Sequence, residues 1–164
     1  MLPEVATIKP RPWRSGTCWH RDHCLRFQLL GCAQARSIII VNNWTFELSA
    51  EGYICGVDGL CPPRLSTPEM GRLEGVPLIP ATVRLITPFD ANDRASFHSD
   101  TDHLSVDPIA RMALLCLSPC SIASLYEHSD ALLVGVDGDD RLAALVFRSI
   151  EFMPSEIGEN TSGQ

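Results

Sequence analysis

No stretch of the chain reaches the roughly 18 consecutive apolar residues that a membrane-spanning helix needs, so no membrane partner is expected. The opening Met1-Leu2-Pro3-Glu4-Val5 has no charged segment followed by an apolar core. That is not the pattern of a secretory signal, and it points to a cytoplasmic protein. Leu29-Leu30-Gly31-Cys32 has the outline of a lipoprotein cleavage site, but Arg26 and Gln28 interrupt the apolar stretch before it. Also missing are a Gly-x-Ser-x-Gly nucleophile elbow and a Gly-rich loop able to cradle phosphates. Without these a non-enzymatic protein with no cofactor is expected. Lysine is nearly absent, Lys9 being the only one among 13 basic residues, a bias that base composition alone can produce.

What is present fits one folded domain. A chain of 164 residues is long enough to bury most of the apolar surface it would expose unfolded, and 45% hydrophobic with 20% charged residues is an ordinary globular balance. Charge is uneven: the overall −7 divides into +4 over residues 1–36 and −11 over residues 37–164. An acidic body repels nucleic acid over most of its surface, which argues against an extended nucleic-acid partner. The basic N-terminal part can still hold a small phosphorylated ligand.

Residues 1–17, with Pro3, Pro10 and Pro12, read as an extended basic arm, residues 18–153 as a single globular domain, and 154–164 as a flexible tail. Leu25, Phe27 and Leu29 alternate with polar neighbours, and Ser37-Ile38-Ile39-Ile40-Val41 is β-branched, so both segments predict strands. Thr45 to Val57 predicts two strands broken at Ala50-Glu51-Gly52, and Thr82–Thr87 another. Ala131–Val136 and Leu142–Phe152 predict a hairpin around Asp137-Gly138-Asp139-Asp140. The proline-rich stretch 60–80 reads as a long loop with a short turn of helix, and 88–107 as a polar surface excursion. Asp107-Pro108 is a helix-start signal, with Ile109, Met112, Ala113 and Cys116 at helical spacing, and Ser118-Pro119 repeats it. Two helices are therefore expected over 107–128, the face of the first one packed.

The sharpest functional lead pairs Arg11, Arg14, Arg21 and Arg26 with the downstream segment Glu47-Leu48-Ser49-Ala50-Glu51-Gly52. Guanidinium forks grip phosphates bidentately, a carboxylate and a hydroxyl read a base edge, and glycine supplies a backbone angle that other residues avoid. The strand order and this turn together resemble the PilZ family, small β-barrels that bind cyclic-di-GMP, over roughly residues 21–87 and 131–153. The family pairs Arg-x-x-x-Arg with an Asp/Asn-x-Ser-x-x-Gly turn. Here Arg21 and Arg26 have four residues between them, and Glu47 stands at the acidic position. The resemblance implies a β-barrel whose ligand-binding residues are Arg14, Arg21, Arg26, Glu47, Ser49 and Gly52, with a cyclic dinucleotide as ligand and a protein partner that receives the signal.

Two clusters have metal-ligand chemistry. His98-Ser99-Asp100-Thr101-Asp102-His103 is similar to the His-x-His-x-Asp-His element of metallo-β-lactamase-fold hydrolases, with Asp100 in place of the middle histidine. Cys18, His20, His23 and Cys24 form a second set, too tightly spaced for the common zinc patterns. A solvated acidic loop and buried thiols are the simpler readings, and no bound metal is expected.

Taken together, these features predict an α+β protein, a mainly antiparallel β-barrel or strongly curved sheet with a two-helix elaboration near 107–128. It is expected to act as a non-enzymatic regulatory receptor. The alternatives are a small acidic interaction protein, of inhibitor or immunity type, and a metal-dependent hydrolase.

Overall fold

Apolar residues recur at every second position along much of the chain, and each such stretch forms a strand. The computed structural model describes residues 2–8, 15–32, 35–60, 70–86, 94–100 and 103–154. In order, the strands are β1 (Glu4–Ile8), β2 (Gly16–Arg21), β3 (Cys24–Leu29), β4 (Ser37–Val41), β5 (Trp44–Leu48), β6 (Ile54–Leu60), β7 (Leu78–Pro80) and β8 (Thr82–Ile86). They continue with β9 (Arg94–Phe97), β10 (His103–Asp107), β11 (Met112–Cys116), β12 (Ser124–Glu127), β13 (Leu132–Val136), β14 (Leu142–Phe147) and β15 (Ile150–Phe152). A single 3-10 turn, Met70–Leu73, is the one helical piece among the described residues.

Among the described residues three open sheets result. The seven-stranded sheet has the order β15-β2-β3-β6-β5-β4-β9, the six-stranded sheet the order β10-β11-β14-β13-β12-β7, and β1 pairs with β8 in a separate ribbon. Neighbours are antiparallel except β15 with β2, β9 with β4 and β7 with β12, which are parallel. The two large sheets face each other across one apolar core. Phe27, Ile39, Phe46 and Leu48 of the first meet Leu115, Leu132, Val134 and Leu145 of the second, and Trp44 stacks at 5.9 Å on Phe147. The six-stranded sheet is buried on its outer side as well: Leu114, Cys116, Leu133 and Val146 pack under Leu73, Val76 and Ile122. This is why β14 reads as an unbroken apolar run, Leu142–Phe147, with every residue buried.

The ribbon ties the two layers together. Val5 N donates to Asp140 O and Leu142 N to Pro3 O on one side, while Leu85 N donates to Gly52 O on the other. His128 adds a latch inside the core. Its Nδ1 accepts from Val83 N–H at 3.0 Å, which places the ring proton on Nε2, and Nε2 donates to Ile54 O at 2.7 Å.

The α+β expectation is overturned. Strand makes up 60% of the described residues and helical turn 2%, and no barrel closes among them. Residues 107–128 hold no helix: β10 and β11 form a hairpin through Pro108–Arg111, and β12 follows. Asp107 does what a helix cap does, its Oδ1 accepting from Ile109 N at 2.9 Å and Ala110 N at 3.0 Å. Those two bonds also close an Asx turn, and Arg111 at φ 56° then reverses the chain into β11 instead of continuing a helix. Ile109, expected to be packed, is 96% exposed at the hairpin tip. The strands β3, β4, β5, β6 and β8 stand as read, and the predicted hairpin of β13 and β14 stands up to Phe147; the rest of its second strand, expected to run to Phe152, is β15, which crosses to the seven-stranded sheet beside β2. β9 and β10 lie where a polar surface excursion was expected, and Glu4–Ile8 of the proposed arm is strand β1.

Candidate functional site

The alternation that turns Leu25, Phe27 and Leu29 inward turns Arg26 and Gln28 outward. Cross-strand register then decides their company. β2 and β3 are joined by the two-residue turn Asp22-His23, both left-handed at φ 48° and 64°, as a type I′ hairpin requires. This sets Trp19 opposite Arg26, and on the far side of β3 Arg26 stands opposite Asp58 of β6. Glu47 of β5 lies one strand further, opposite Gly56.

Arg26 becomes the hub of a polar patch on the outer face of the seven-stranded sheet. Its Nη2 donates to Gln28 Oε1 at 3.0 Å and lies 3.4 Å from both Glu47 carboxylate oxygens. Nη1 is 4.0 Å from Asp58, and the guanidinium sits 5.8 Å from the Trp19 ring centroid, a cation–π distance. Gly56 makes this possible, because a Cβ there would lie 2.5 Å from Glu47 Oε2. Arg21 projects on the same face, 3.9 Å from Asp22. Ile38 at 37% and Leu60 at 65% exposure flank the patch. The outer face of the other large sheet is covered; this one is open among the described residues.

The structure thus brings together Arg21, Arg26 and Glu47 of the predicted ligand set. Ser49 and Gly52 lie beyond the end of β5 and are used by their own turn. Ser49 Oγ accepts from Tyr53 N at 3.1 Å and Glu51 N at 3.3 Å and donates to Glu51 Oε2 at 3.1 Å. Gly52, at φ 88°, lets β8 approach, since a Cβ would stand 2.9 Å from Leu85 O. Arg14 lies outside the described residues. Trp19, Gln28, Gly56 and Asp58 were missed. The two-residue Asp22-His23 turn was the signal that would have placed Trp19 beside Arg26.

Among the described residues the metal clusters do not assemble. Cys18 and Cys24 are on opposite faces of the β2–β3 hairpin: Cys18 is buried, its Sγ donating to Ala131 O at 3.3 Å, whereas Cys24 faces outward. Burial, with Asp130 adding and a backbone hydrogen bond from Arg148 opposing, pushes the Cys18 thiol up to about 12. Burial and then Asp58 raise that of Cys24 too. His20 stacks at 5.4 Å on Phe152, and burial, followed by the neighbouring His23, lowers its pKa. His98 and Asp100 contact each other at 3.1 Å with 80% and 96% of their side chains exposed, and His103 begins β10 some way along the chain. Asp102 lies outside the described residues. Among those described, no three metal-ligating side chains come together. Two thiols have a different fate from the buried one expected for them: Cys32 and Cys55 are joined as a disulfide, Cα atoms 5.8 Å apart.

No protein-family model matches the chain. No curated protein matches it either.

Proposed function

We propose that the protein is a non-enzymatic recognition module whose ligand surface is the open face of the seven-stranded sheet around Trp19, Arg21, Arg26 and Glu47. The carrying observation is the convergence of an aromatic ring, a guanidinium and a carboxylate within one patch. Trp19 offers a stacking surface for a purine, Arg21 and Arg26 offer forks for phosphate, and Glu47 and Gln28 offer groups for a base edge. That chemistry suits a cyclic dinucleotide, taken on an open sheet and not inside a barrel. Arg26 already has partners, but a partly exposed ion pair at the surface is worth only about 0–1 kcal/mol. A charge-assisted contact with phosphate is worth about 1.5–3 kcal/mol, so exchange favours the ligand. The non-enzymatic part is supported by the other reactive groups: His128 has both nitrogens on backbone groups, and the Cys18 thiol is far from ionising.

Calorimetry with cyclic-di-GMP in low salt tests this reading. Binding is expected, with Arg26→Ala weakening it about tenfold or more by the loss of about 1.5–3 kcal/mol for a charged contact, and Trp19→Ala weakening it by the loss of about 1–3 kcal/mol of base stacking. No heat at high micromolar ligand would refute the nucleotide assignment. The exposed Leu60 and Ile38 beside the patch favour a protein partner as the second reading. Among the described residues no helix is long and apolar enough to cross a membrane.

A further inference from the structure

A second site lies at the corner where the chain leaves the six-stranded sheet at Phe147 and enters the seven-stranded one at Ile150. Here a cleft of about 190 Å³ is lined by Arg111, Asp130, Ser149 and Glu151, with Cys18 and Ala131 among its apolar walls. It is smaller than the roughly 300–1,000 Å³ of sites for drug-sized ligands, so a dinucleotide is the wrong scale for it. Its rim is clasped: Arg111 Nε donates to Ile150 O at 2.8 Å, and Ile150 N returns a bond to Arg111 O at 2.9 Å. Arg111 and Ser149 both hold left-handed backbone, at φ 56° and 54°, so each strand end is fixed at a tight reversal.

The electrostatics are unusual for so small a space. One guanidinium and two carboxylates line the same cleft, yet among the described residues neither Arg111, Asp130 nor Glu151 forms an ion pair. Asp130 spends Oδ1 on Gly16 N at 2.7 Å, leaving Oδ2. Groups of both signs thus line one cleft beside an apolar wall without pairing with each other. We propose that this cleft binds a small aliphatic α-amino acid. Its carboxylate meets the terminal nitrogens of Arg111, its ammonium meets Asp130 and Glu151, and its side chain lies against Cys18 and Ala131. The proposal is independent of the dinucleotide reading, since it uses none of the residues of the sheet face.

The test is a titration of the whole protein with L-valine, followed by amide NMR shifts, beside two analogues that each lack one charge: isovalerate, without the amine, and isobutylamine, without the carboxylate. Saturable shifts confined to Gly16–Cys18, Arg111, Asp130–Ala131 and Ser149–Glu151 are expected, with each analogue at least about tenfold weaker. Glu151→Gln, on an exposed edge strand, should weaken valine by about tenfold while leaving the thermal midpoint unchanged. Absence of shifts at millimolar valine overturns the proposal, and so does isobutylamine or isovalerate binding as tightly as valine. Valine binding unaffected by Glu151→Gln, or shifts centred elsewhere, overturns it as well.

Discussion

Replacing His128 with phenylalanine should cost more stability than any single substitution on the sheet surface. The ring is 4% exposed and bridges two backbone groups from different layers, Val83 N–H on the ribbon and Ile54 C=O on β6. Phenylalanine keeps the aromatic packing near Phe27, 6.4 Å away, and removes both hydrogen-bond partners. Each buried group left unsatisfied costs about 1–3 kcal/mol, so the pair costs about 2–6 kcal/mol. A typical domain holds only about 5–15 kcal/mol, so the variant should sit near the edge of folding. Urea denaturation followed by tryptophan fluorescence, with Trp44 in the core as reporter, should show a lower midpoint at unchanged slope. His128→Gln keeps one acceptor and one donor and should recover part of the loss. If His128→Phe unfolds within about 1 kcal/mol of the native protein, the latch is not a stabilising element and the reasoning from unsatisfied groups fails here.

Gly52→Ala should destabilise by about 1–3 kcal/mol, because alanine at φ 88° is strained and its Cβ meets Leu85 O; thermal unfolding measures it. Reducing Cys32–Cys55, which are 23 residues apart in sequence, should cost about 3 kcal/mol by freeing the unfolded chain, read as a lower midpoint in reductant that Cys32→Ser no longer shows. The lowered pKa of His20 means the unfolded chain binds its proton more readily than the folded one. Stability should therefore be intact above the unfolded value of about 6.5 and decline as pH falls below it, and His20→Gln should flatten that slope in a pH series of melts. A thiol reagent at neutral pH should label exposed Cys120 rapidly and leave buried Cys18, pushed up to about 12, unlabelled until denaturant is added.

Strands were legible wherever one face is buried, because period two then shows directly in residues such as Leu25, Phe27 and Leu29. The error over 107–128 came from a signal with two meanings. Asp-Pro opens a helix and an Asx turn equally well, and Ile109, Met112 and Cys116 fall at helical spacing by coincidence. The contrary sign was the unbroken run Met112-Ala113-Leu114-Leu115-Cys116-Leu117, too uniformly apolar for one helix face and natural for a strand buried on both sides. Of the polar patch on the sheet face, Arg26 and Glu47 were legible through their local motif. Trp19 and Asp58 join them only through registers between strands, and Cys32 finds Cys55 only through folding, since cysteine spacing does not reveal connectivity.

The parallel pairing of β15 with β2 sets an order of events during synthesis. Ile150 lies beside Cys18, and Gly16 N is held by Asp130, so the edge of the seven-stranded sheet is completed by residues translated more than a hundred positions later. At about 5–20 residues per second, the ribosome leaves β2 without β15 for about 7–26 seconds. During that interval its edge is a bare strand template, open to pairing with other nascent chains. Truncation before Ile150 would make that interval permanent, and a chain ending there should be recovered as aggregate and not as a smaller folded protein.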